Sequence, residues 1–216
     1  MRLLINKTNR QICLTIILML IFSQLSACSL ANGITSTKSN NPQLAEQNFT
    51  VSLLKPVPTG SKLMLELLDD VTGLYFNSSR FEMVQQEVLT YSLTLPLSNK
   101  TEIKYRYVRV DNGSDYEFDS QHQQVRFRIL RVDGPQDVKD TIVAWSATSY
   151  SGPIGRITGQ VVDQSNNAPL PNLLITAGGE QTFSASDGTF VLNGLIPGLH
   201  NLVIYSMDGA YETFQQ

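Results

Sequence analysis

Residues 102–110 read EIKYRYVRV, and this stretch decides the fold class. Tyr105 and Tyr107 alternate along it with the basic residues Lys104 and Arg106. Because successive side chains of a strand point to opposite faces of a sheet, this alternation is typical of a half-buried β-strand. The stretch therefore predicts a strand of an antiparallel sheet, with its apolar face in a core and its basic face in solvent.

The same two-residue period recurs on both sides of this stretch. It covers residues 49–54, 62–68, 88–95 and 125–132, and residues 138–145 form either a further strand or a helical turn. Turn-forming residues separate these segments at 58–60, 111–114 and 133–135. Residues 49–148 are therefore predicted to form one β-sandwich of about seven strands.

A second β unit follows a short break in the pattern. Residues 149–153 form the predicted linker, and strands are predicted at residues 155–163, 173–177, 189–192 and 200–205. Residues 154–216 are therefore a second sandwich. The predicted fold class is all-β, with two tandem prealbumin- or immunoglobulin-like antiparallel β-sandwiches.

The first 28 residues carry the signature of export. Three basic residues precede or flank an apolar run at residues 12–22, and the small residues Ser26 and Ala27 come directly before Cys28. This pattern resembles the bacterial lipoprotein signal. The resemblance implies that a diacylglycerol is attached to the Cys28 thiol and that residues 1–27, the signal peptide, are removed. An ordinary secretory signal, or an anchor helix that is not cleaved, would explain the same composition.

Lipid attachment implies a place in the cell envelope, on the extracytoplasmic side, at the outer membrane or the cell surface. Ser29 stands where many such proteins that stay at the inner membrane have an aspartate. Two or three acyl chains on one cysteine exceed the single chain that binds membranes only marginally. The polar residues 28–48 are predicted to form a flexible tether between the lipid and the first sandwich.

Charge and cysteine content limit the expected partners. Removal of residues 1–27 takes away three basic and no acidic residues, so the formal net charge falls from −3 to −6. A mildly acidic protein offers no electrostatic footprint for nucleic acid, so neutral polymers, proteins or small molecules are expected instead. Of the two cysteines, Cys13 lies in the apolar run and Cys28 carries the lipid. No intrachain disulfide is therefore expected, and the folded part must rely on hydrophobic cores.

Five spaced motifs in the second unit recur in one family. They read GQVVD at 159–163, PLPN at 169–172, SDGTF at 186–190, GLIPG at 194–198 and HNL at 200–202. Residues 154–216 thereby resemble the carboxypeptidase-regulatory-like domain, which implies a transthyretin-like β-sandwich. That family typically has one more strand, so the resemblance implies that the second sandwich lacks its last strand and has an open edge, or that the sequence is a fragment. Neither histidine lies in a His-x-x-Glu zinc pair, so metallocarboxypeptidase chemistry is excluded.

The first unit contains motifs of a carbohydrate-binding family. The order LTLP at 93–96, TEIKYRYV at 101–108, VRFRI at 125–129 and DTIVAW at 140–145 resembles the second half of the starch-binding domain. The resemblance implies binding of α-glucans by aromatic stacking, but the usual central tryptophan is missing near residues 74–80. Trp145 is predicted to pack in the core or between domains. The remaining candidates for contact with a sugar are Tyr116 and Tyr75, whose rings would stack on it, and Glu117 or Asn112, which would bind its hydroxyls. Tyrosines at strand ends also pack as ordinary structure.

Two further clusters have competing interpretations. Residues 111–117 place oxygen donors at every second position, as calcium requires, but an Asx-rich hairpin turn explains them better. A basic stripe formed by Lys104, Arg106, Arg126 and Arg128 is best explained as a solvated face, given the acidic residues near it. No nucleophile, phosphate-loop or Cys-x-x-Cys motif occurs. We therefore expect no catalytic residues, no metal and no cofactor.

These observations predict a non-catalytic lipoprotein of the cell envelope that binds carbohydrate of the α-glucan type. Its expected partners are the membrane, through the lipid on Cys28, and a polysaccharide. One alternative is a structural spacer or protein-interaction stalk on the cell surface. The other is the non-catalytic N-terminal part of a larger exported enzyme. Nothing in a fold alone distinguishes these functions.

Overall fold

The computed structural model describes residues 1–5, 43–69, 73–74 and 78–216. Within these ranges the regular secondary structure consists of β-strands alone, which confirms the all-β fold class. In chain order the strands are β1 (Arg2–Ile5), β2 (Leu44–Leu53), β3 (Lys62–Leu67), β4 (Ser79–Glu82), β5 (Val84–Glu87), β6 (Thr90–Ser98), β7 (Thr101–Val110), β8 (Ser114–Phe118), β9 (Arg128–Val132), β10 (Gln136–Ile142), β11 (Ala144–Trp145), β12 (Gly155–Asp163), β13 (Leu174–Ala177), β14 (Glu180–Phe183), β15 (Thr189–Leu195), β16 (Val203–Tyr205) and β17 (Phe214–Gln215).

The first sandwich is built from two sheets that pack face to face. β7, the strand that contains the EIKYRYVRV stretch, lies in the middle of one of them. One sheet has the order β10-β2-β6-β5, and the other has the order β11-β8-β7-β3-β4, with β9 also paired to β7. Side chains from both sheets meet in one buried core, which includes Phe49, Leu65, Tyr105, Tyr107 and Trp145. Alternation along β2 and β3 therefore predicted the core-facing residues of this sandwich correctly.

The segment at residues 138–145 is extended, so the helical-turn alternative was wrong. β10 runs parallel to β2, and its register pairs Gln136 with Gln47 and Ile142 with Leu53. β11 then crosses to the other sheet and pairs with β8. The last long strand of the first sandwich thereby covers the edge of its first strand, an exception to the antiparallel pairing that the sequence predicted.

The predicted tether ends earlier than the sequence indicated, because β2 begins at Leu44 rather than near residue 49. Ala45, Gln47 and Phe49 alternate inward, and Gln47 is fully buried. Its amide nitrogen donates hydrogen bonds to the carbonyl oxygens of Ala45, at 3.2 Å, and Gly134, at 2.8 Å. The amide N–H groups of Gln47 are thus hydrogen-bonded although the residue occupies a core position. Because a polar residue stands there, the start of β2 shows no apolar alternation in the sequence.

The second sandwich pairs a sheet of order β1-β12-β15 with a sheet of order β14-β13-β16-β17. β12 covers the predicted residues 155–163, and Asp187-Gly188 forms the predicted turn before β15. The core between these sheets is apolar and mostly aliphatic, and it includes Val161, Ile175, Phe190, Leu192 and Ile204. All four strands predicted in this region are therefore present, and the three after β12 have shifted ends.

β1 comes from the start of the predicted signal peptide and completes the second sandwich. It pairs parallel to β12, from Arg2 opposite Gln160 to Ile5 opposite Asp163. Leu3 and Ile5 are buried in the second core. This edge of β12 is thus covered by β1. The remainder of the predicted signal peptide lies outside the described residues, as do Cys28, Tyr75 and most of the tether.

A third core cluster joins the two sandwiches. Leu68, Phe127 and Ile129 of the first sandwich pack against Leu174 and Val203 of the second. Hydrogen bonds between the two sandwiches lie beside this cluster. The cluster and these bonds together fix the two sandwiches against each other. They are Gln181 Nε2 to the Phe127 carbonyl at 2.8 Å, Arg131 Nη1 to the Thr213 carbonyl at 3.1 Å and Thr213 Oγ1 to Glu102 Oε1 at 2.9 Å.

Candidate functional site

The predicted sugar-contact residues lie on and beside the hairpin formed by β7 and β8. Asn112 is exposed in the turn, Tyr116 is partly exposed on β8, and Glu117 follows it with its side chain on the opposite face. Tyr75 lies outside the described residues. The structure therefore brings Asn112 and Tyr116 to the same hairpin and separates Glu117 from them.

The turn itself has the hydrogen bonds of an Asx turn. The Gly113 amide donates to Asp111 Oδ1 at 3.2 Å, and the Asp111 amide donates to the Gly113 carbonyl at 3.1 Å. These bonds account for the local sequence without a bound cation. Within the described part of the chain, no group of three or more His, Cys, Asp or Glu side chains could hold a metal ion.

Glu117 is fully buried, so the prediction that it contacts sugar hydroxyls was wrong. Its Oε2 accepts a hydrogen bond from Arg128 Nη2 at 2.7 Å, and its Oε1 accepts one from the Tyr107 amide at 3.0 Å. A buried carboxylate without a partner is very costly, and Arg128 removes that cost by forming a two-point ion pair. The residue stabilises the interior of the first sandwich.

The pair of Arg128 and Glu117 belongs to a larger buried network. Arg128 Nη1 donates to Asp140 Oδ1 at 3.3 Å, and the hydroxyls of Tyr105 and Tyr107 donate to Asp140 Oδ2 at 2.8 and 2.9 Å. Burial, reinforced by the charge of Asp140, raises the pKa of both tyrosines well above the usual range. Burial opposes the charge on Arg128, but Glu117 and Asp140 outweigh it and raise the pKa of Arg128. The network therefore keeps fixed protonation states.

A second charged cluster lies on the outer face of the sheet. Glu66 on β3 accepts from Arg106 Nε at 2.6 Å and from Arg80 Nε at 2.9 Å, and Ser78 Oγ lies 3.1 Å from the same carboxylate. Glu66 faces Arg106 on β7 and Arg80 on β4 in the strand register, so all three share one face. Burial favours the protonated form of Glu66, but the two arginines outweigh it and lower its pKa.

Tyr116 is held at the border of this cluster. The guanidinium of Arg106 lies 4.0 Å from the centre of its ring. Arg80 Nη2 donates to the Tyr116 hydroxyl at 3.4 Å, and Arg80 Nη1 donates to Ser114 Oγ at 2.9 Å. We refer to Arg80, Ser114 and Tyr116, together with the neighbouring turn residue Asn112, as the Tyr116 face. Because Arg106 covers one side of the ring, at most one side can stack on a ligand.

The basic residues predicted to form a solvated stripe are mostly buried, so that interpretation was wrong for Lys104, Arg106 and Arg128. Arg126 alone among the four is exposed. The Lys104 ammonium lies 5.6 Å and 5.2 Å from the ring centres of Phe127 and Tyr205. Two acidic residues on neighbouring strands were the signal in the sequence that Arg106 and Arg128 are paired. They are Glu66, on the outer face beside Arg106, and Glu117, on the core-facing side beside Arg128.

Trp145 is part of the first core, as predicted. Its side chain is buried, and the Arg109 guanidinium lies 5.3 Å from its ring centre. Arg109 also forms an ion pair with Asp115 at 2.7 Å. The only tryptophan in the sequence is therefore a structural residue and not a platform for a sugar.

One carboxyl group has a pKa near neutrality, and it lies at the junction of the sandwiches. Burial, reinforced by the charge of Asp119, raises the pKa of Glu180 to about 7. Gln121 Nε2 donates to Glu180 Oε2 at 3.2 Å, and Ser120 Oγ lies 3.4 Å from Oε1. Ser120 Oγ also donates to the Gly194 carbonyl at 2.6 Å. The loop at residues 119–121 thereby anchors the first sandwich to the second around a carboxyl that titrates near pH 7.

No protein-family model and no curated protein matches the chain. Solved structures give distant likenesses. A glycoside hydrolase family 15 glucoamylase from Hypocrea jecorina is 13% identical, covers 48% of this chain and 18% of its own, and has a TM-score of 0.38. A leucine-rich repeat protein from Bacteroides thetaiotaomicron is 11% identical over 80% of this chain and 23% of its own, with a TM-score of 0.29. A streptococcal ancillary pilin is 13% identical over 79% and 58%, with a TM-score of 0.25.

The chain spans less than two thirds of the length of each of these structures. All three TM-scores are below 0.5, so none of the likenesses identifies a function. The resemblances to the starch-binding and carboxypeptidase-regulatory-like domains therefore stay predictions. Among the residues that the structure describes, no helix is long and apolar enough to cross a membrane.

Proposed function

We propose that this protein is a non-catalytic lipoprotein of the cell envelope that holds a rigid pair of β-sandwiches at the surface and binds its ligands by surface contacts. The lipid on Cys28 would anchor it on the extracytoplasmic side. The two sandwiches would act as one body, because they share a core cluster and several hydrogen bonds. Attachment would raise the local concentration of its binding surfaces at the envelope.

The observation that carries this proposal is the pairing of the buried charges. Glu66 and Glu117 are each held by arginine, and Asp140 by Arg128 and two tyrosine hydroxyls. Fixed ion pairs stabilise a scaffold, whereas a general acid or base must exchange a proton during each turnover. Glu180, the carboxyl with a pKa near 7, serves the junction between the sandwiches.

The anchor is tested by membrane fractionation of cells that express the full chain. Cys28→Ala should move the protein from the membrane fraction to the soluble fraction, because the thiol that carries the lipid is lost. Cys13→Ala is the matched control and should leave the protein in the membrane fraction. Retention of the Cys28→Ala variant in membranes would show that the N-terminal segment stays attached as a helix, and it would overturn the proposal.

The ligand that we propose for the first sandwich is a neutral polysaccharide of the α-glucan class, bound at the Tyr116 face. This face supplies one side of an aromatic ring beside an arginine and a hydroxyl that can bind sugar hydroxyls. Arg80 and Ser114 would bind the sugar hydroxyls, the role that was predicted for Glu117. Asn112 stays in the proposed site, since it is exposed at the tip of the same hairpin.

Affinity electrophoresis in gels that contain amylose or glycogen tests this ligand. The protein should be retarded, and Tyr116→Ala should restore its mobility because the stacking surface is removed. Stacking on an aromatic ring contributes on the order of 1 kcal/mol, so affinity should fall about fivefold or more. Tyr150→Ala is the control, since Tyr150 is a partly exposed tyrosine in the linker, away from the Tyr116 face. Unchanged mobility of the unaltered protein in these gels would remove the carbohydrate function.

A second candidate function is a spacer or stalk that binds other proteins. The observation that favours it is the junction, where the apolar cluster of Leu68, Phe127 and Leu174 makes a stiff connection rather than a flexible one. A stiff pair of sandwiches presents a constant surface to a protein partner. Absence of glycan binding, together with membrane anchoring through Cys28, would favour this second function.

A further inference from the structure

The edge of β12 accepts a strand that the second sandwich does not itself provide. β1, from the other end of the chain, pairs with it in parallel register over four residue pairs. The amide of Gln160 donates to the Met1 carbonyl at 2.8 Å, and the amide of Gln164 donates to the Ile5 carbonyl at 3.0 Å. The edge of β12 is therefore satisfied by backbone groups of a segment that lies more than 150 residues away in the sequence.

The apolar side chains of β1 are also part of the second core. Leu3 and Ile5 are 4% and 2% exposed and join the cluster that contains Val161 and Leu192. Leu4, between them, is 46% exposed. The edge of β12 thus has two apolar subsites for side chains that are two residues apart along a strand. The side chain between them faces solvent, so its type is not restricted.

The position that β1 occupies at the edge of β12 has a counterpart in the first sandwich. There, β10 runs parallel to β2, the first strand of that sandwich, and covers its edge over seven residue pairs. β1 takes the same place beside β12, the first strand of the second sandwich. The first sandwich fills this position with its own last long strand, whereas the second one borrows a segment from outside.

The next step rests on the proposed function, since cleavage before Cys28 removes β1. The edge of β12 would then expose unpaired backbone groups and the two apolar subsites. An exposed strand edge pairs readily with another extended chain, and backbone hydrogen bonds provide affinity while alternate side chains provide specificity. Gly159 allows close approach at this edge, because a Cβ there would lie 2.7 Å from the Met1 carbonyl oxygen.

We propose that the edge of β12 is a strand-acceptor site of the processed protein. Its occupant is an extended segment of a partner protein that runs parallel to β12 and carries aliphatic side chains at two positions spaced two residues apart. The seating of Leu3 and Ile5 in the second core defines this chemistry. The processed protein thereby binds a partner by completing its own second sandwich.

The test uses residues 28–216 with Cys28→Ser, which is the processed chain without lipid, and a fluorescent hexapeptide with the sequence of residues 1–6. The peptide should bind saturably in fluorescence anisotropy and should raise the midpoint of thermal unfolding. Leu3→Asp or Ile5→Asp in the peptide should weaken binding about tenfold or more, because a charge would enter an apolar subsite. Leu4→Asp is the matched control and should change binding by about twofold at most, because Leu4 faces solvent.

If the processed chain does not fold alone, the same hexapeptide should restore the folded state, as seen in the fluorescence of the buried Trp145 and in circular dichroism. The proposal is overturned by two results: no binding and no refolding with peptide up to about 1 mM, or equal effects of the Leu3→Asp and Leu4→Asp peptides. A dimer that forms with concentration and is displaced by the peptide would make a second copy the occupant and would overturn the partner assignment. Failure of the anchor is distinguishable, since membrane retention of Cys28→Ala leaves peptide binding to residues 28–216 unaffected.

Discussion

The two sandwiches share a two-sheet architecture with a parallel strand at one edge, but they differ in what holds them together. All ion pairs between described residues lie within residues 62–140, in the first sandwich. Four of these pairs involve the largely buried carboxylates of Glu66, Glu117 and Asp140. The second sandwich has an apolar, mostly aliphatic core instead, and its turns are held by short hydrogen bonds such as the one that Thr189 Oγ1 donates to Asp187 Oδ1.

This difference shows two ways to stabilise the same architecture. An aliphatic core gains free energy in proportion to the apolar area that it buries. A buried ion pair gains little over an apolar replacement, but removal of one partner is very unfavourable because the other charge stays buried alone. We therefore expect the first sandwich to be more sensitive to the loss of a single charge, and the second to the loss of volume.

The largest effect is expected from Arg128→Ala in the first sandwich. The substitution leaves Glu117 and Asp140 buried without a cation, and it should lower the free energy of unfolding by about 3–5 kcal/mol. Urea unfolding monitored by Trp145 fluorescence measures this loss. Arg126→Ala, two residues away and exposed, should change stability by less than about 0.5 kcal/mol. Similar effects of the two substitutions would contradict the buried network.

A volume change in the second sandwich should have the next largest effect. Leu192→Ala opens a cavity beside Val161 and Ile204 and should cost about 3 kcal/mol. Val191→Ala, on the same strand but 46% exposed, is the control and should have a small effect. If the junction makes both sandwiches one cooperative unit, Leu192→Ala will also shift the transition of Trp145. Separate transitions in calorimetry would show that the two sandwiches unfold independently.

The smallest expected effect is on the pH dependence of stability, and it arises from Glu180 at the junction between the two sandwiches. The pKa of Glu180 is raised from 4.5 to about 7 in the folded protein, so the folded state binds this proton more tightly than the unfolded state. Stability should therefore fall as the pH rises from about 4.5 to about 7 and stay level above that range. Glu180→Gln should remove this slope and make the protein more stable at pH 8, by about 1–2 kcal/mol after solvent screening.

Thermal unfolding between pH 4 and pH 8 measures this dependence. Glu46→Gln is the control, since Glu46 is exposed on β2 in the first sandwich. It should leave the slope in place. A wild-type stability that rises steadily from pH 5 to pH 7, with no change in slope for Glu180→Gln, would contradict the placement of Glu180 at the junction.

Most strands of both sandwiches could be predicted from the sequence, because alternation of side chains directly reflects the geometry of a strand. In the second sandwich the four predicted strands are present, since its turns contain Gly and Asp at characteristic positions, but β1, β14 and β17 were not predicted. β4 and β5 were missed because their exposed residues show no apolar alternation. The start of β2 was missed because Gln47 is a polar residue in a core position.

The candidate site was harder to predict than the fold. Alternation places Lys104 and Arg106 on one face of β7, but it does not say whether that face is covered. Arg128 lies on the opposite, core-facing side, across from Tyr105 in the strand register. The burial of these three cations depends on acidic residues far away in the sequence, Glu66 among them, and on the packing of Tyr205 from the second sandwich. Such contacts arise from tertiary structure, so the outward face of β7 was assigned to solvent incorrectly. Tyr116 and Asn112 were placed on the correct hairpin because the turn signal is local.

The parallel pairing of β2 and β10 has a mechanical consequence. The chain enters this pair at Leu44 and leaves it at Ile142, at opposite ends of the ladder. A pull applied between those two points acts along both strands in opposite directions and loads the ladder in shear. All of its backbone hydrogen bonds then share the force, whereas an antiparallel hairpin pulled from its open end would break them one after another. A pull applied at Leu44 and at the second sandwich, beyond Ile142, would therefore meet the resistance of the whole ladder at once.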